Sequence, residues 1–401
     1  MKDLDGTMTS SSKPIDDKAY IKDINTAYRN PVKIVDLFAG IGGFHYGIAA
    51  AANKFGRSVE PLLISEIEES CQKIYIDNHG FKERQVGDIN GIELRNLKGE
   101  ADVVTAGFPC QPFSNSGLKR GLSDPRGQFY EKIKDIILCY SAKSFILENV
   151  PGIRTNGEPG FKSLLAAAGP LDIGSTMNHL EERLSEDLPN YKVKWLEIDS
   201  SDLGSPQARK RVYIIGIRND CLEKSKGDFE ITLNTFVQND FLHIARRKDD
   251  RDSTLKLSPQ QEANILSGMS RKPSFHNGMR RVGKAYLCPG GNVGQAYHAD
   301  GLVPTLTKVW ARFLPIYFPS DLEARPEVDD DRMEIREFTP CENYKKGYIR
   351  RASVREVMRL QGFPENFKPH ETPRIAYEHA GNAVNAKVIR EIANNLFGYI
   401  L

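Results

Sequence analysis

The chain has 401 residues, of which 27% are charged and 40% hydrophobic, and its formal net charge is +2. This length exceeds one ordinary core and favours a large domain with a smaller second one. The near-neutral charge does not by itself indicate a polyanionic partner, so any nucleic-acid surface must be local.

Cysteine and apolar patterns narrow the class of protein further. The six cysteines stand far apart, without a Cys-x-x-Cys spacing or a neighbouring histidine cluster, which argues against a disulfide framework and against zinc. The N-terminus has no signal-like apolar stretch, and no apolar run approaches 18 residues. We therefore expect a reduced, cytoplasmic protein that holds no metal.

The first part of the chain predicts an α/β domain. Residues 1–30 are polar and serine-rich and are predicted to be a tail. From Lys33 onward, helical patterns separate most of the short apolar runs KIVDLFA, VEPLLIS, ADVVTAG, SFILENV, VKWLEI and RVYIIGI. This alternation predicts a doubly wound, mostly parallel sheet over residues 31–220.

The rhythm of strands and helices stops after Arg218. Residues 221–370 are predicted to form a smaller, irregular second domain and a hinge. Near its end, S-V-R-E at Ser353 predicts a capping box, and Gly362 with Pro364 predicts the helix end. The last segment, KVIREIANNLFGYIL, has one apolar helical face, so residues 371–401 are predicted to return to the large domain.

Glycines follow the first strand in DLFAGIGGF, residues 36–44. In a strand-to-helix turn they let backbone N–H groups approach a ligand, although a plain tight turn is the alternative and His45 replaces the third glycine of G-x-G-x-x-G. Glu66 ends the second strand, where it could accept hydrogen bonds from ribose hydroxyls, or could simply be a solvated residue. Asp88 follows the third strand, where it could accept from an adenine amino group.

A candidate nucleophile, Cys110, stands in GFPCQPFS just after the fourth strand. Ligands of open α/β sheets bind at this edge, whereas Cys71 and Cys139 lie on helical patterns typical of buried cysteines. Glu148 ends the fifth strand and could share a proton with a ring nitrogen, or could be a helix cap or ion-pair partner. In QARKR, alternation places Arg209 and Arg211 on one face, where they could clamp a phosphate and a pyrimidine carbonyl oxygen.

Taken together, these motifs resemble a known family. DLFAGIGGF, ISEIE, GDI, GFPCQPFS, ENV, QARKR, RLQGFP and GNAV resemble the ordered motif series of DNA cytosine-5 methyltransferases of the bacterial or phage restriction-modification type. The match spans residues 33–218 and 350–390, and eight motifs in order make it specific.

The resemblance implies a Rossmann-like fold, S-adenosylmethionine as methyl donor and duplex DNA as partner, in a monomer that is paired with a restriction enzyme. It implies that Cys110 attacks C6 of a flipped cytosine. It further implies that Glu148 contacts N3 and the exocyclic amine, and that Arg209 and Arg211 hold the phosphate and O2, with Arg211 preferred for O2. The residues that would line the cofactor pocket are Phe38, Ala39, Gly40, Gly42, Gly43, Glu66, Ile67, Asp88, Ile89, Pro109, Asn382, Ala383 and Val384.

In this family the segment between QARKR and RLQGFP carries sequence recognition. Thr305-Leu306 resembles the short Thr-Leu element found there, and Arg246 and Arg280 could reach phosphates or guanine edges, although charged runs more often form solvated faces. Residues of the cysteine loop are expected to grip the DNA backbone, namely Gln111, Ser114 and Ser116.

Three other interpretations remain open from the sequence. A tRNA cytosine methyltransferase would share the fold, but with a shorter middle region. A catalytically silent DNA-binding relative would have lost the cysteine, the glutamate or the arginines, all of which are present. A dehydrogenase would explain neither PCQPF nor QARKR.

Overall fold

The structure is a computed structural model, and it describes a large part of the chain. The described residues are 30–108, 129–151, 181–182, 184–225, 228–233, 241–245, 252–268, 274–276, 279–286, 293–308, 311–319 and 347–401. The predicted tail, residues 1–30, lies outside them apart from its last residue.

A seven-stranded sheet forms the centre of the large domain. Its strands are β1 (Val32–Leu37), β2 (Val59–Ser65), β3 (Gln85–Val86), β4 (Val103–Ala106), β5 (Ser144–Asn149), β6 (Tyr191–Asp199) and β8 (Lys210–Arg218), with β7 (Gln207–Ala208) just before the last. The order is β3-β2-β1-β4-β5-β8-β6. Strand β8 runs antiparallel to both of its neighbours, and the other pairs are parallel. This confirms the predicted mostly parallel α/β sheet.

Both faces of this sheet are covered, which explains why its strands are nearly continuously apolar. Adjacent residues point to opposite faces: Ile34 packs in one buried cluster with helices α1 (Gly43–Lys54) and α8 (Ala386–Ile400), while Val35 packs in another with α3 (Phe129–Cys139). Helix α1 touches α8 closely, because a Cβ on Gly47 would lie 2.6 Å from Cβ of Ile389.

The C-terminal helix has the predicted apolar face. In α8 this face is buried, and it consists of Val388, Ile389, Ile392, Ala393, Leu396 and Phe397. The helix therefore packs on the central sheet as the sequence predicted.

A second sheet lies in the region that the sequence predicted to be irregular. It has the order β14-β13-β11-β10-β9, formed by β9 (Ser274–His276), β10 (Met279–Tyr286), β11 (Val293–His298), β13 (Pro315–Pro319) and β14 (Gly347–Arg351). The strands are short or charged, as in MRRVGKAY of β10, and the parallel pair β11–β13 has only two residue pairs in register. Such pairing is non-local and leaves no alternating pattern in the sequence.

Further helices connect these sheets. They are α2 (Glu69–His79), α4 (Asn219–Ser225), α5 (Pro259–Gly268), α6 (Val354–Leu360) and α7 (Pro373–Asn382). The capping box at the start of α6 is confirmed, since Ser353 Oγ accepts from the Glu356 amide and the Glu356 carboxylate accepts from the Ser353 amide. Gly362, with φ of 79°, follows the helix end as predicted.

No helix in the described part of the chain is long and apolar enough to cross a membrane.

Candidate active site

The carboxyl ends of the first three strands meet at one edge of the central sheet. Ala39 donates its N–H to the Ser65 carbonyl over 3.0 Å, and the Glu66 amide donates to the Val86 carbonyl over 3.2 Å. Ser65 Oγ donates to the carbonyl of Gly87 over 3.0 Å. The turns that follow β1, β2 and β3 are thus held beside one another, at the edge where open α/β sheets bind ligands.

The turn after β1 depends on unusual backbone angles. Phe38, Gly40 and Gly42 have φ of 53°, 54° and 88°, a region that suits glycine and costs other residues energy. A Cβ on Gly40 would meet nothing within 4 Å, so this turn leaves open space beside the backbone. A Cβ on Gly43 would lie 2.8 Å from Cγ2 of Val384, so this glycine admits a close neighbour.

Glu66 organises this turn through its carboxylate. Oε2 accepts from the Gly40 amide over 2.7 Å, and Oε1 accepts from the Glu68 amide over 2.8 Å. Burial raises the pKa of the Glu66 carboxyl, while these amide bonds oppose the rise. The next residue, Ile67, is 71% exposed, which is unusual for a large apolar side chain and provides an open apolar surface.

Other predicted cofactor residues differ in their exposure. Asp88 is exposed, and its Oδ1 accepts from the Asn90 amide over 2.9 Å. Ile89, in contrast, is 2% exposed and packs in the core. Its predicted contact with the cofactor stays a prediction. Asn382 is exposed at the end of α7.

Glu148 lies near the end of β5, at the same edge of the sheet. It is opposite Tyr213 of β8, its side chain is 10% exposed, and its Oε1 lies 3.0 Å from Nε of Arg211. The strand alternation thus places Arg211 at the glutamate. A carboxylate and a guanidinium in a nearly dry site form a strong pair with fixed geometry.

The chain passes this glutamate as it enters the cysteine loop. A Cβ on Gly107 would lie 3.8 Å from Glu148 Oε2, and Asn149 Nδ2 donates to the Phe108 carbonyl over 3.1 Å. Cys110 itself lies outside the described residues, as do Pro109, Gln111, Ser114, Ser116 and Arg246. The backbone that leads to Cys110 therefore starts next to the Glu148 carboxylate.

Arg209 has a different environment from Arg211. It is 3% exposed, and its guanidinium donates to the carbonyls of Leu306, Gly381 and Ala383. Burial, with a smaller contribution from nearby Arg211, lowers the pKa of Arg209 to about 9. The two terminal nitrogens of Arg209 thus have three protein acceptors, and its predicted contact with a phosphate stays a prediction.

The predicted recognition residues are also partly engaged within the protein. Thr305 Oγ1 donates to the Ala208 carbonyl over 2.8 Å. Leu306 is 1% exposed, so its side chain packs within the protein, and its predicted contact with DNA stays a prediction. Arg280 lies in β10, where it is in register with Phe275 of β9.

Sequence reasoning missed a buried polar cluster behind the glycine turn. Thr105 Oγ1 donates to Asp36 Oδ1 over 2.8 Å, and Tyr75 Oη lies 2.7 Å from His45 Nδ1. The ring of His79 stacks on His45 with centroids 4.2 Å apart. The only local signal was one polar residue inside each apolar run, Asp36 in KIVDLF and Thr105 in DVVTAG.

The fold is a mostly parallel α/β sheet that has an open glycine turn and a carboxylate–guanidinium pair at one edge. The chain belongs to the C-5 cytosine-specific DNA methylase family, because the model of that family matches residues 32–398. It is accordingly a DNA (cytosine-5-)-methyltransferase, and the resemblance in the motifs is confirmed.

Curated relatives match over nearly the whole chain. Type II methyltransferase M.BanI of Aneurinibacillus aneurinilyticus is 30% identical over 91% of this chain and 96% of its own length. Type II methyltransferase M.HpaII of Haemophilus parainfluenzae is 29% identical over 91% of this chain and 89% of its own.

Solved structures share the fold. A mutant of DNMT2 from Spodoptera frugiperda has a TM-score of 0.59 at 18% identity, covering 91% of this chain and 99% of its own. The methyltransferase EhMeth of Entamoeba histolytica has a TM-score of 0.56 at 18% identity, covering 92% and 98%. At this identity the likeness concerns the fold alone.

Proposed function

We propose that this enzyme transfers a methyl group from S-adenosylmethionine to C5 of a cytosine within a specific duplex DNA sequence. We further propose that it acts as a monomer and that the methylation protects DNA from a paired restriction endonuclease, in line with its type II relatives. The observation that carries the chemistry is the pair of Glu148 and Arg211, located where the chain enters the segment of Cys110.

The residues at the sheet edge fit the proposed methyl donor. The open space at Gly40 can admit a ligand, and exposed Ile67 offers an apolar surface for adenine. Glu66, whose carboxylate accepts from the Gly40 amide, is proposed to bind the ribose hydroxyls. Asp88, which is exposed, is proposed to accept from the adenine amino group. When bound, S-adenosylmethionine supplies a methyl group on a positively charged sulfur and leaves as S-adenosylhomocysteine.

Covalent catalysis by Cys110 solves the central chemical problem. C5 of cytosine is too weak a nucleophile to accept a methyl group unaided. Addition of the Cys110 thiolate to C6 forms an S–C6 bond and gives an enamine whose C5 is nucleophilic. After methylation at C5, loss of the C5 proton to a base and breaking of the S–C6 bond restore the aromatic ring and free Cys110.

Glu148 and Arg211 are proposed to orient and activate the ring. One oxygen of Glu148 can share a proton with N3 as the thiolate adds, and the other can accept from the exocyclic amine. Arg211, held by Glu148, can donate to O2 and stabilise the charge that develops there. Arg209 donates to three backbone carbonyls instead, and we assign it no contact with the cytosine ring.

The reacting base must leave the duplex to reach these groups. Extrusion costs a few kcal/mol, which DNA contacts elsewhere must offset. We propose that Gln111, Ser114 and Ser116 hold the DNA backbone near Cys110. Thr305, Arg246 and Arg280 are proposed to contribute to recognition from the second region.

The test is methyl transfer from radiolabelled S-adenosylmethionine to mixed-sequence duplex DNA and, separately, to tRNA, followed by bisulfite sequencing. Label at cytosine C5 in duplex DNA, at a recurrent sequence and absent with Cys110→Ser, supports the proposal. Cys139→Ser is the matched control, because Cys139 is an exposed cysteine on α3 and should leave the activity intact. Label in tRNA only, or in neither the DNA nor the tRNA, contradicts the proposal.

A further inference from the structure

Arg209 joins two segments that lie far apart in the chain. Between β7 and β8, its Nη1 donates to the Leu306 carbonyl over 3.0 Å and to the Gly381 carbonyl over 3.5 Å, and its Nη2 donates to the Ala383 carbonyl over 2.8 Å. Leu306 belongs to the Thr-Leu element, and the other two residues belong to GNAV. One buried guanidinium therefore bridges both.

The acceptors explain why a buried cation is tolerated there. Helix α7 ends at Asn382, and the last carbonyls of a helix have no amide partner within it. A cation near a helix C-terminus also interacts favourably with the helix dipole. The fork of nitrogens on Arg209 can reach acceptors on two segments at once, which the single ammonium of a lysine cannot do in the same geometry.

Backbone pairing brings the Thr-Leu element to the same place. Strands β12 (Val303–Pro304) and β7 pair in parallel, and Val303 donates its N–H to the Pro206 carbonyl over 2.9 Å. Thr305 Oγ1 donates to the Ala208 carbonyl over 2.8 Å. The residues just before Arg209 thus hold the start of the element, and Arg209 holds its end.

Gly381 makes the approach of these segments possible. A Cβ at this position would lie 2.6 Å from both the carbonyl carbon and the oxygen of Thr307 and 2.7 Å from the Lys308 nitrogen. All three atoms are backbone atoms, so they could not move aside without shifting the chain. The residue after the Thr-Leu element is therefore packed directly on α7.

Beyond Gly381 the chain continues to the cofactor pocket. Cβ atoms on Gly43 and Gly107 would lie 2.8 Å and 3.6 Å from the two methyl groups of Val384. Gly43 follows the glycine turn of the proposed donor site as the first residue of α1, and Gly107 precedes the cysteine loop. A displacement of residues 381–384 would consequently change how Val384 packs against Gly43 and against Gly107.

We propose that Arg209 is a positioning residue that fixes the Thr-Leu element against the GNAV turn, and thereby couples the DNA-recognition region to the shape of the methyl-donor pocket. The proposal rests on the function proposed above. In this proposal Arg209 contacts no phosphate of the DNA, whereas Arg211 still contacts the target cytosine.

Binding measurements on Arg209→Ala separate this role from a phosphate contact. Calorimetry with S-adenosylmethionine in the absence of DNA should show affinity at least tenfold weaker than in the wild type, with recovery on addition of ethylguanidinium. The slope of log Kd for duplex DNA against log salt should equal that of the wild type, because the number of neutralised phosphates is unchanged. Lys210→Ala removes the adjacent, exposed charge and should leave the donor affinity unchanged.

Two results would overturn the proposal. One is a donor affinity equal to that of the wild type, and the other is a salt slope shallower by about 0.9, the change expected for one lost phosphate contact. Should Arg209→Ala fail to fold, the donor affinity is measured on Arg209→Lys, which keeps the charge but not the fork, and the salt slope is measured on Arg209→Gln. Failure of the wild-type chain to bind the donor or to methylate DNA would instead contradict the proposed function.

Discussion

Asp36 of β1 and Thr105 of β4 face each other in register, and Thr105 Oγ1 donates to Asp36 Oδ1 over 2.8 Å. Both residues are buried beneath the glycine turn. Removal of the carboxylate from water raises the pKa of Asp36 from 3.8 to about 7, although Thr105 and Tyr75 oppose the rise. The Asp36 carboxyl therefore titrates near neutral pH.

This shift predicts a pH dependence of stability. Between pH 3.8 and about 7 the folded state binds more protons at Asp36 than the unfolded state does, so the contribution of this residue to stability falls as the pH rises through that window. Asp36→Asn should become progressively more stable than the wild type over the same window, with a constant difference above it. Urea unfolding across the window measures this.

The controls for the pH prediction are nearby. Asp77→Asn, at an exposed position on α2, should leave the pH profile unchanged. The contribution of His79 to stability changes with pH in the opposite direction. Burial lowers the pKa of His79 from 6.5 to about 3, so this contribution rises with pH up to 6.5. The difference curve between Asp36→Asn and the wild type isolates the carboxyl, and a flat curve contradicts the assignment.

The pair of Glu148 and Arg211 predicts a large loss of activity on substitution. Glu148→Gln should lower kcat by a factor of about 100 or more, because the residue could no longer supply a proton to N3. It should also destabilise the protein by about 3 kcal/mol, since Arg211, whose side chain is only 12% exposed, would lose its counter-charge. Methylation kinetics and denaturant unfolding measure the two effects.

Glu197→Gln is the matched control for Glu148→Gln. Glu197 on β6 faces Lys210 on β8 at 3.9 Å, with the two side chains 28% and 58% exposed. A pair of this kind contributes about 0.5 kcal/mol or less. Equal losses of activity in the two variants would remove the proposed role of Glu148.

Glu66 predicts an effect on donor binding that is separate from catalysis. Glu66→Gln replaces one acceptor oxygen by a donor, which weakens the bonds from the amides of Gly40 and Glu68 and the proposed bonds from ribose hydroxyls. The dissociation constant for S-adenosylmethionine should rise by a factor of about 10 to 100. Calorimetry with Glu69→Gln, an exposed neighbour on α2, provides the comparison, and unchanged affinity in Glu66→Gln would exclude this contact.

Two helical glycines predict opposite responses to the same substitution. Gly381→Ala on α7 should destabilise the protein and impair methylation, because the added carbon would meet the backbone of Thr307 at 2.6 Å. Gly398→Ala on α8 meets nothing within 4 Å and should stabilise the protein by about 1 kcal/mol, the helix preference of alanine over glycine. Thermal unfolding of both variants tests the contrast, which similar shifts would refute.

Sequence reasoning predicted those features of the fold that local patterns encode. The apolar run VEPLLIS coincides with β2, and the capping box at Ser353 and the apolar face of α8 arise from neighbouring residues alone. The five-stranded sheet was missed because its strands are short and charged and some pair across long stretches of chain. Its stability depends on tertiary contacts that no window of the sequence displays.

In the candidate site, too, some features follow from local sequence and others depend on residues distant in the chain. Motif order placed Glu148 and Glu66 at one edge, because carboxyl ends of parallel strands share an edge. Arg211 reaches the same edge because β8 runs antiparallel to β5, so that the amino end of β8 lies there. The different surroundings of Arg209 and Arg211 could not be read from QARKR, since the carbonyls that engage Arg209 come from residues 306, 381 and 383. Burial of Ile89 and Leu306 likewise depends on neighbours distant in sequence.

The central claim is that Cys110 forms a bond to C6 of the target cytosine. Duplex DNA with 5-fluorocytosine at the methylated position tests it directly, because a C5 fluorine cannot leave as a proton does, so the S–C6 bond persists after methyl transfer. With S-adenosylmethionine, the wild-type chain should give a denaturant-resistant protein–DNA adduct whose mass spectrum locates the bond at Cys110, and Cys110→Ser should give none. An adduct at another residue, or methylation of ordinary DNA by Cys110→Ser at the wild-type rate, would contradict the account.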